Sequence, residues 1–202
     1  MAKLYVERGL RPSELASLKA IGRVGVVTIQ QLKENYGITD GRIKQMNNSR
    51  YYDVQEEKVF IGTKGIKECE KLGIQHRYGS SLKNFEHDNR LAEVYFSIKT
   101  DKEIENKWEE FQENERLRDG WITEGELQDK ASQLPIYEAF KEKITATHSK
   151  GKFQATPDAA YRHPDTGVVT CLEIYGKSYK YEDIAQKVAF AREYYNGNIE
   201  VY

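Results

Sequence analysis

The 202-residue sequence is poor in the residues that staple or anchor a chain: it has two cysteines, four prolines, two methionines and two tryptophans. Cys69 and Cys171 stand far apart with no CxxC spacing. That pattern argues against a disulfide framework and a cysteine-built zinc site, and makes a reducing cytoplasm the default expectation. No apolar run approaches the roughly 18 residues of a membrane-spanning helix, so no membrane partner is expected. Met1 to Leu10 carries no apolar stretch of the secretory kind, and no signal peptide is expected. Repeats and low-complexity tracts are missing, and so is an excess of one charge: 31 Lys and Arg face 32 Asp and Glu, a net of −1. What is there is 39% hydrophobic residues beside 31% charged ones. That is too apolar for a disordered chain, and the length suits one or two domains.

The near-zero total hides an uneven distribution. Residues 1–78 hold 14 basic and 9 acidic side chains, a net of +5, whereas residues 79–202 hold 17 and 23, a net of −6. The short Gly79-Ser80-Ser81 stretch is the natural place for a boundary. Two domains, 1–78 and 79–202, are expected, with different partners.

In the first part, Pro12 and Ser13 open a helix with Leu15, Leu18 and Ile21 at helical spacing, which Gly22 is expected to end. Thr28 and Gln31 form a capping-box pattern for a second helix, closed by Gly37. Thr39 or Asp40 caps a third helix running to about Asn48, with Ile43 and Met46 inward. Tyr51–Val54 and Lys58–Ile61 flank a polar turn as a short hairpin, and Thr63 is placed to cap a fourth helix carrying Ile66, Cys69 and Leu72. This order resembles the winged helix-turn-helix family over residues 10–75, and Ile61-Gly62-Thr63-Lys64-Gly65 is similar to that family's exit from the wing. The third helix and its flank then offer Arg42, Lys44, Gln45, Asn48 and Arg50 outward, and Lys58 lies on the hairpin. Arg, Gln and Asn can pair with purine edges in the major groove, while Lys44, Arg50 and Lys58 suit phosphates. Double-stranded DNA is the expected partner, against the alternative of a solvated face in a protein-binding winged helix.

The second part opens with a helix from His87, with Leu91, Val94, Tyr95 and Ile98 in register, and a charged helix with Ile104, Trp108 and Phe111 follows. Gly120 to Leu127 is expected to contain a short strand, with a loop from there to Pro157. Pro157–Arg162 and Val168–Tyr175 read as strands about a turn at His163–Gly167, Tyr181–Tyr195 as a helix, and Ile199 begins a last strand. Antiparallel pairing about that turn brings Asp158 and Glu173 side by side. Two such carboxylates make an oxygen-rich site for Mg²⁺ or Mn²⁺. A carboxylate inside an apolar strand is costly unless paired or metal-bound; an ion pair of Glu173 with Lys177 or Lys187 is the alternative, and Asp88 can be a helix cap.

Pro157-Asp158 and Glu173 resemble the PD-(D/E)xK restriction-endonuclease-like superfamily. The resemblance implies an α/β or α+β domain with a small mixed sheet flanked by helices, and Asp158 and Glu173 as metal ligands. It implies a further carboxylate from Glu93, Asp88 or Glu124. Its lysine is missing at Tyr175, so Lys177 or Lys187 would have to orient water or phosphate. His87 to Leu91, Trp121 to Leu127, Pro157-Asp158-Ala159 and Leu172-Glu173, after a winged helix, are similar to the narrower replication-relaxation family of plasmids and integrative elements. That likeness implies a metal-dependent nickase, relaxase or endonuclease acting at an origin-like duplex site in DNA transfer or replication. A homodimer and the transfer or replication machinery are the partners it implies. The alternatives are a degenerate nuclease fold kept for DNA binding or dimerisation in an accessory factor or transcriptional regulator, and an unrelated partner-binding domain.

Overall fold

The computed structural model describes residues 9–74, 82–147, 155–176 and 180–202. Over the described residues the chain is a mixed α and β protein with two small sheets. In chain order the first half runs α1 (Pro12–Val24), β1 (Val26–Thr28), α2 (Ile29–Tyr36), α3 (Asp40–Asn48), β2 (Tyr52–Gln55), β3 (Lys58–Ile61) and α4 (Thr63–Lys71). After a 3₁₀ turn at Leu82–Asn84 come α5 (Phe85–Ser97), α6 (Lys107–Arg118), β4 (Trp121–Thr123), α7 (Glu124–Ser132), α8 (Tyr137–Thr147), β5 (Ala159–Arg162), β6 (Val169–Glu173), α9 (Tyr181–Tyr194) and β7 (Ile199–Val201).

Local chemistry explains most of these boundaries. Thr28 Oγ1 accepts from the Gln31 N–H and the Gln31 side chain accepts from the Thr28 N–H, so the capping box starts α2 as expected. Gly37, at φ 62°, closes it in the left-handed conformation. Gly22 does not end α1. It lies buried inside the helix, and Gly25, at φ 93°, makes the stop three residues later. Thr63 is the first residue of α4 rather than its cap, which is Gly62. A Cβ on Gly62 would lie 2.4 Å from the Arg50 carbonyl oxygen, so only glycine lets the hairpin return this close to the end of α3.

The first sheet has the order β1-β3-β2, both pairs antiparallel, with Val27 opposite Val59 and Val54 opposite Val59 on the other side. β1, three residues long, has no counterpart among the expected elements. In the second sheet, β4-β5-β6-β7, the last pair is parallel and the others antiparallel. The strand expected within Gly120–Leu127 covers only Trp121–Thr123. Thr123 caps α7 by accepting from the Glu126 N–H. Glu124 is therefore a helix residue, and the expected loop to Pro157 contains most of α7 and all of α8. Ile104 precedes α6 instead of lying on it.

The expected boundary at Tyr78/Gly79 lies outside the described residues. On either side of it the chain shares one hydrophobic cluster: Leu18, Ile21, Val27 and Val59 pack in the same core as Leu91, Tyr95, Trp121 and Leu172. Polar links reinforce this joint. Arg23 donates to the Arg118 carbonyl at 3.0 Å, and Lys19 lies 2.7 Å from Asp119. One cysteine is buried in each half, and burial pushes the Cys69 thiol up to about 11 and the Cys171 thiol up to about 12. Among the described residues no helix is long and apolar enough to cross a membrane.

Candidate active site and candidate DNA-binding face

The β5–β6 register pairs Ala159 with Leu172. One step further out, Asp158 and Glu173 meet, as the hairpin argument requires. The Asp158 N–H donates to Glu173 Oε2 at 3.2 Å, and the Ile174 N–H donates to Asp158 Oδ2 at 2.9 Å. The third member comes from α9. Lys187 Nζ lies 2.7 Å from Glu173 Oε1 and 2.8 Å from Oε2, and also donates to the Thr156 carbonyl at 3.2 Å. Glu173 is 0% exposed, Lys187 5% and Asp158 6%. Burial of this kind is tolerable because each charge has an opposite or a hydrogen-bond partner at contact distance.

α5 adds a fourth and a fifth member. His87 Nε2 is 3.0 Å from Asp158 Oδ2, and His87 Nδ1 is 3.1 Å from Asp88 Oδ1. Asp88 is 1% exposed. It is a buried partner of His87 in the first turn of α5; the N-cap position is Asn84. Burial pushes the Asp158 carboxyl up, but the His87 hydrogen bond and the positive charges of Lys187 and His87 outweigh it and hold the group below the ordinary carboxylate range. His87 was the member not anticipated as a site residue. The signal for it was an adjacent His-Asp pair at the start of an apolar helix.

The other expected catalytic residues are placed differently. Tyr175, which stands where the superfamily's lysine is missing and is not itself an expected catalytic residue, is 48% exposed, and its carbonyl accepts from Arg90. Lys177 lies outside the described residues. Glu93 is exposed on α5, where it accepts from Asn89 at 2.9 Å. Glu124 is half-buried at the start of α7, directly after Thr123, the β4 residue paired with Ala159. As the side chains stand, the described residues contain no group of three His, Cys, Asp or Glu arranged to hold a metal ion.

On α3 the outward residues divide in two. Lys44 and Asn48, and Arg50 just beyond the helix end, are exposed. Arg42 is committed to α1: its Nη2 donates to Glu14 Oε2 at 2.8 Å, its Nε donates to Oε1, and its Nη1 donates to Gln45. Lys58 is half-buried, with Nζ 4.4 Å above the Phe85 ring. Burial pushes Glu14 up, but the Arg42 guanidinium and the Arg11 N–H outweigh it and hold its carboxyl below the ordinary range. A carboxylate lowered on folding stabilises the fold fully above its unfolded value, about 4.3, and loses that contribution as pH falls through the folded value. Glu14→Gln is therefore expected to cost clearly more stability at pH 7 than at pH 3, measured as urea midpoints at the two pH values.

No protein family, no curated protein and no solved structure matches the chain.

Proposed function

We propose that the chain is a DNA-binding, metal-dependent endonuclease of the nicking type, with a winged helix-turn-helix in its first half and a restriction-endonuclease-like fold in its second. The observation that supports this most is the buried Asp158–Glu173–Lys187 cluster, assembled from three elements, with Lys187 supplying from α9 the ammonium that position 175 lacks. A folded chain carries so costly a cluster most readily where the charges have work to do.

The donor chemistry fits a hard divalent ion such as Mg²⁺ or Mn²⁺. Such ions are commonly held by one or two carboxylates, with water and substrate phosphate completing the shell. Asp158 and Glu173 would hold it, and when bound it would lower the pKa of a water and offset charge on the phosphate. Lys187, fixed by Glu173 and the Thr156 carbonyl, presents its ammonium to the scissile phosphate or the attacking water. Lys44, Asn48 and Arg50, on the half whose net charge is +5, supply the duplex contacts. An origin-like site on a plasmid or integrative element is the substrate that fits the replication-relaxation likeness.

Supercoiled plasmid incubated with the protein and Mn²⁺ or Mg²⁺ is expected to yield open circles, and Asp158→Asn and Glu173→Gln are expected to abolish them. Duplex binding should persist in both variants and weaken steeply with salt, because phosphate contacts release counterions. Salt-sensitive binding without nicking under any divalent ion overturns the enzymatic proposal. The second reading, a DNA-binding regulator with a degenerate nuclease fold, then stands; what favours it is that the carboxylates are already engaged by Lys187 and His87.

A further inference from the structure

Arg50 stands where glycine or asparagine is easier to accommodate. It follows α3 with φ 64°, a left-handed backbone that is costly for most L residues. Both of its backbone polar groups are engaged: the N–H donates to the Asn47 carbonyl at 2.9 Å, and the carbonyl accepts from the Lys64 N–H at 2.8 Å. The second bond joins the end of α3 to the first turn of α4. Gly65 allows that approach, since a Cβ there would lie 2.4 Å from the Tyr51 carbonyl oxygen. Lys64 Nζ lies 5.7 Å from the centre of the Tyr51 ring, and Lys67 is exposed one turn further along α4. α3, its end and the start of α4 thus carry four exposed cations, Lys44, Arg50, Lys64 and Lys67. The nearest acid on α4, Glu68, is held by Lys71 at 2.7 Å.

The β2–β3 hairpin has the opposite character. It exposes Asp53, Glu56 and Glu57, and its one cation is drawn away: Lys58 Nζ lies 4.4 Å above the Phe85 ring and 3.8 Å from Glu56. The hairpin is also tied to the body of the protein. The Glu57 carbonyl accepts from the Ile29 N–H at 2.9 Å, and the Val54 N–H donates to Asn47 Oδ1 at 3.0 Å. Three carboxylates held in this place repel a phosphate backbone, whereas the α3–α4 junction attracts one. Resting on the DNA-binding reading above, we propose that the duplex lies across α3 and the first turns of α4, with Arg50, Lys64 and Lys67 as phosphate contacts, and that the acidic hairpin stays off it. The costly backbone at Arg50 is then kept for the side chain it carries, as strained residues at functional sites are. Lys64 and Lys67 extend the contact beyond α3, and Lys58 plays no part in it.

The test is fluorescence anisotropy of a short labelled duplex of mixed sequence, titrated with the full chain across a salt series. Each phosphate contact contributes about 0.9 to the slope of log affinity against log salt. Lys67→Gln and Arg50→Asn are each expected to lower that slope by about 0.9 and to weaken binding about five- to tenfold near 0.1 M salt. Asparagine suits the left-handed backbone better than arginine, so Arg50→Asn loses the contact while the urea midpoint holds or rises. Glu56→Lys, at a side chain 83% exposed, is expected to leave affinity and slope at the wild-type values, because a charge further from the duplex than the Debye length, about 8 Å at 0.15 M salt, is screened. A steeper slope in Glu56→Lys places the hairpin on the duplex and overturns the proposal. Unchanged slopes in Lys67→Gln and Arg50→Asn overturn it as well, and both results leave DNA binding in place. A wild-type chain with no salt-dependent duplex binding overturns the DNA-binding reading too.

Discussion

Replacing Lys187 by methionine is expected to lower the stability of the chain by about 3–5 kcal/mol and to abolish nicking, because it leaves Glu173 buried with its ammonium gone. The buried position makes the effect large. A surface pair would change stability by less than about 1 kcal/mol, whereas here both partners are almost fully enclosed and water cannot take over the role of the lysine. The double variant Lys187→Met/Glu173→Met separates structure from chemistry. Two apolar side chains of similar volume remove the uncompensated charge, so urea denaturation should return to near the wild-type midpoint, while nicking stays absent. If Lys187→Met alone leaves the midpoint unchanged, Glu173 is not held by this lysine in solution and the proposed cluster fails with it.

Arg118→Ala is expected to have the second large effect, again about 3–5 kcal/mol by urea denaturation. The residue is 3% exposed and ties three elements together. Its guanidinium donates to the Phe96 carbonyl in the last turn of α5 and the Ile98 carbonyl just after it, to Asn35 on α2 and to Glu115 within α6, and it lies against the Tyr95 and Phe96 rings. Truncation strips these acceptors of a donor where solvent does not reach and leaves a void beside Tyr95. Arg118→Lys should recover little, because an ammonium cannot span the planar fork of contacts. Asn35 belongs to the first half of the chain and Arg118 to the second. A stability loss from this variant therefore measures how firmly the half bearing α3 is fixed to the half bearing Asp158. A wild-type midpoint for Arg118→Ala would mean that the joint rests on the shared apolar core alone.

What the sequence could disclose depended on the range of the interactions involved. The meeting of Asp158 and Glu173 was legible because a hairpin turn at His163–Gly167 sets the register over a few residues. Lys187 was legible only as one of two candidates, since its approach to Glu173 depends on how α9 packs back across the sheet. His87 and Asp88 read in the sequence as a helix cap, with Asp88 also a candidate further carboxylate, because the contact that brings α5 against the end of β5 spans 71 residues of chain. Arg42 shows the same limit from the other side: a helix-face argument sees an outward arginine, but not Glu14, 28 residues earlier, which claims it. β1 escaped because three residues cannot establish a period. α7 escaped because only Leu127 and Ala131 are buried along it, although the Thr123–Glu126 capping box was there to be found.

The two buried cysteines give the chain a built-in pair of clocks. Both sulfurs are fully enclosed, so an alkylating reagent reaches Cys69 or Cys171 only when the surrounding structure opens, and the same burial raises both thiols and disfavours the reactive thiolate in the closed state. One reports on α4 against α1, the other on the centre of β6. If the shared core makes the two halves a single cooperative unit, both sulfurs are modified at one rate across a denaturant series. Two rates would identify which half opens first.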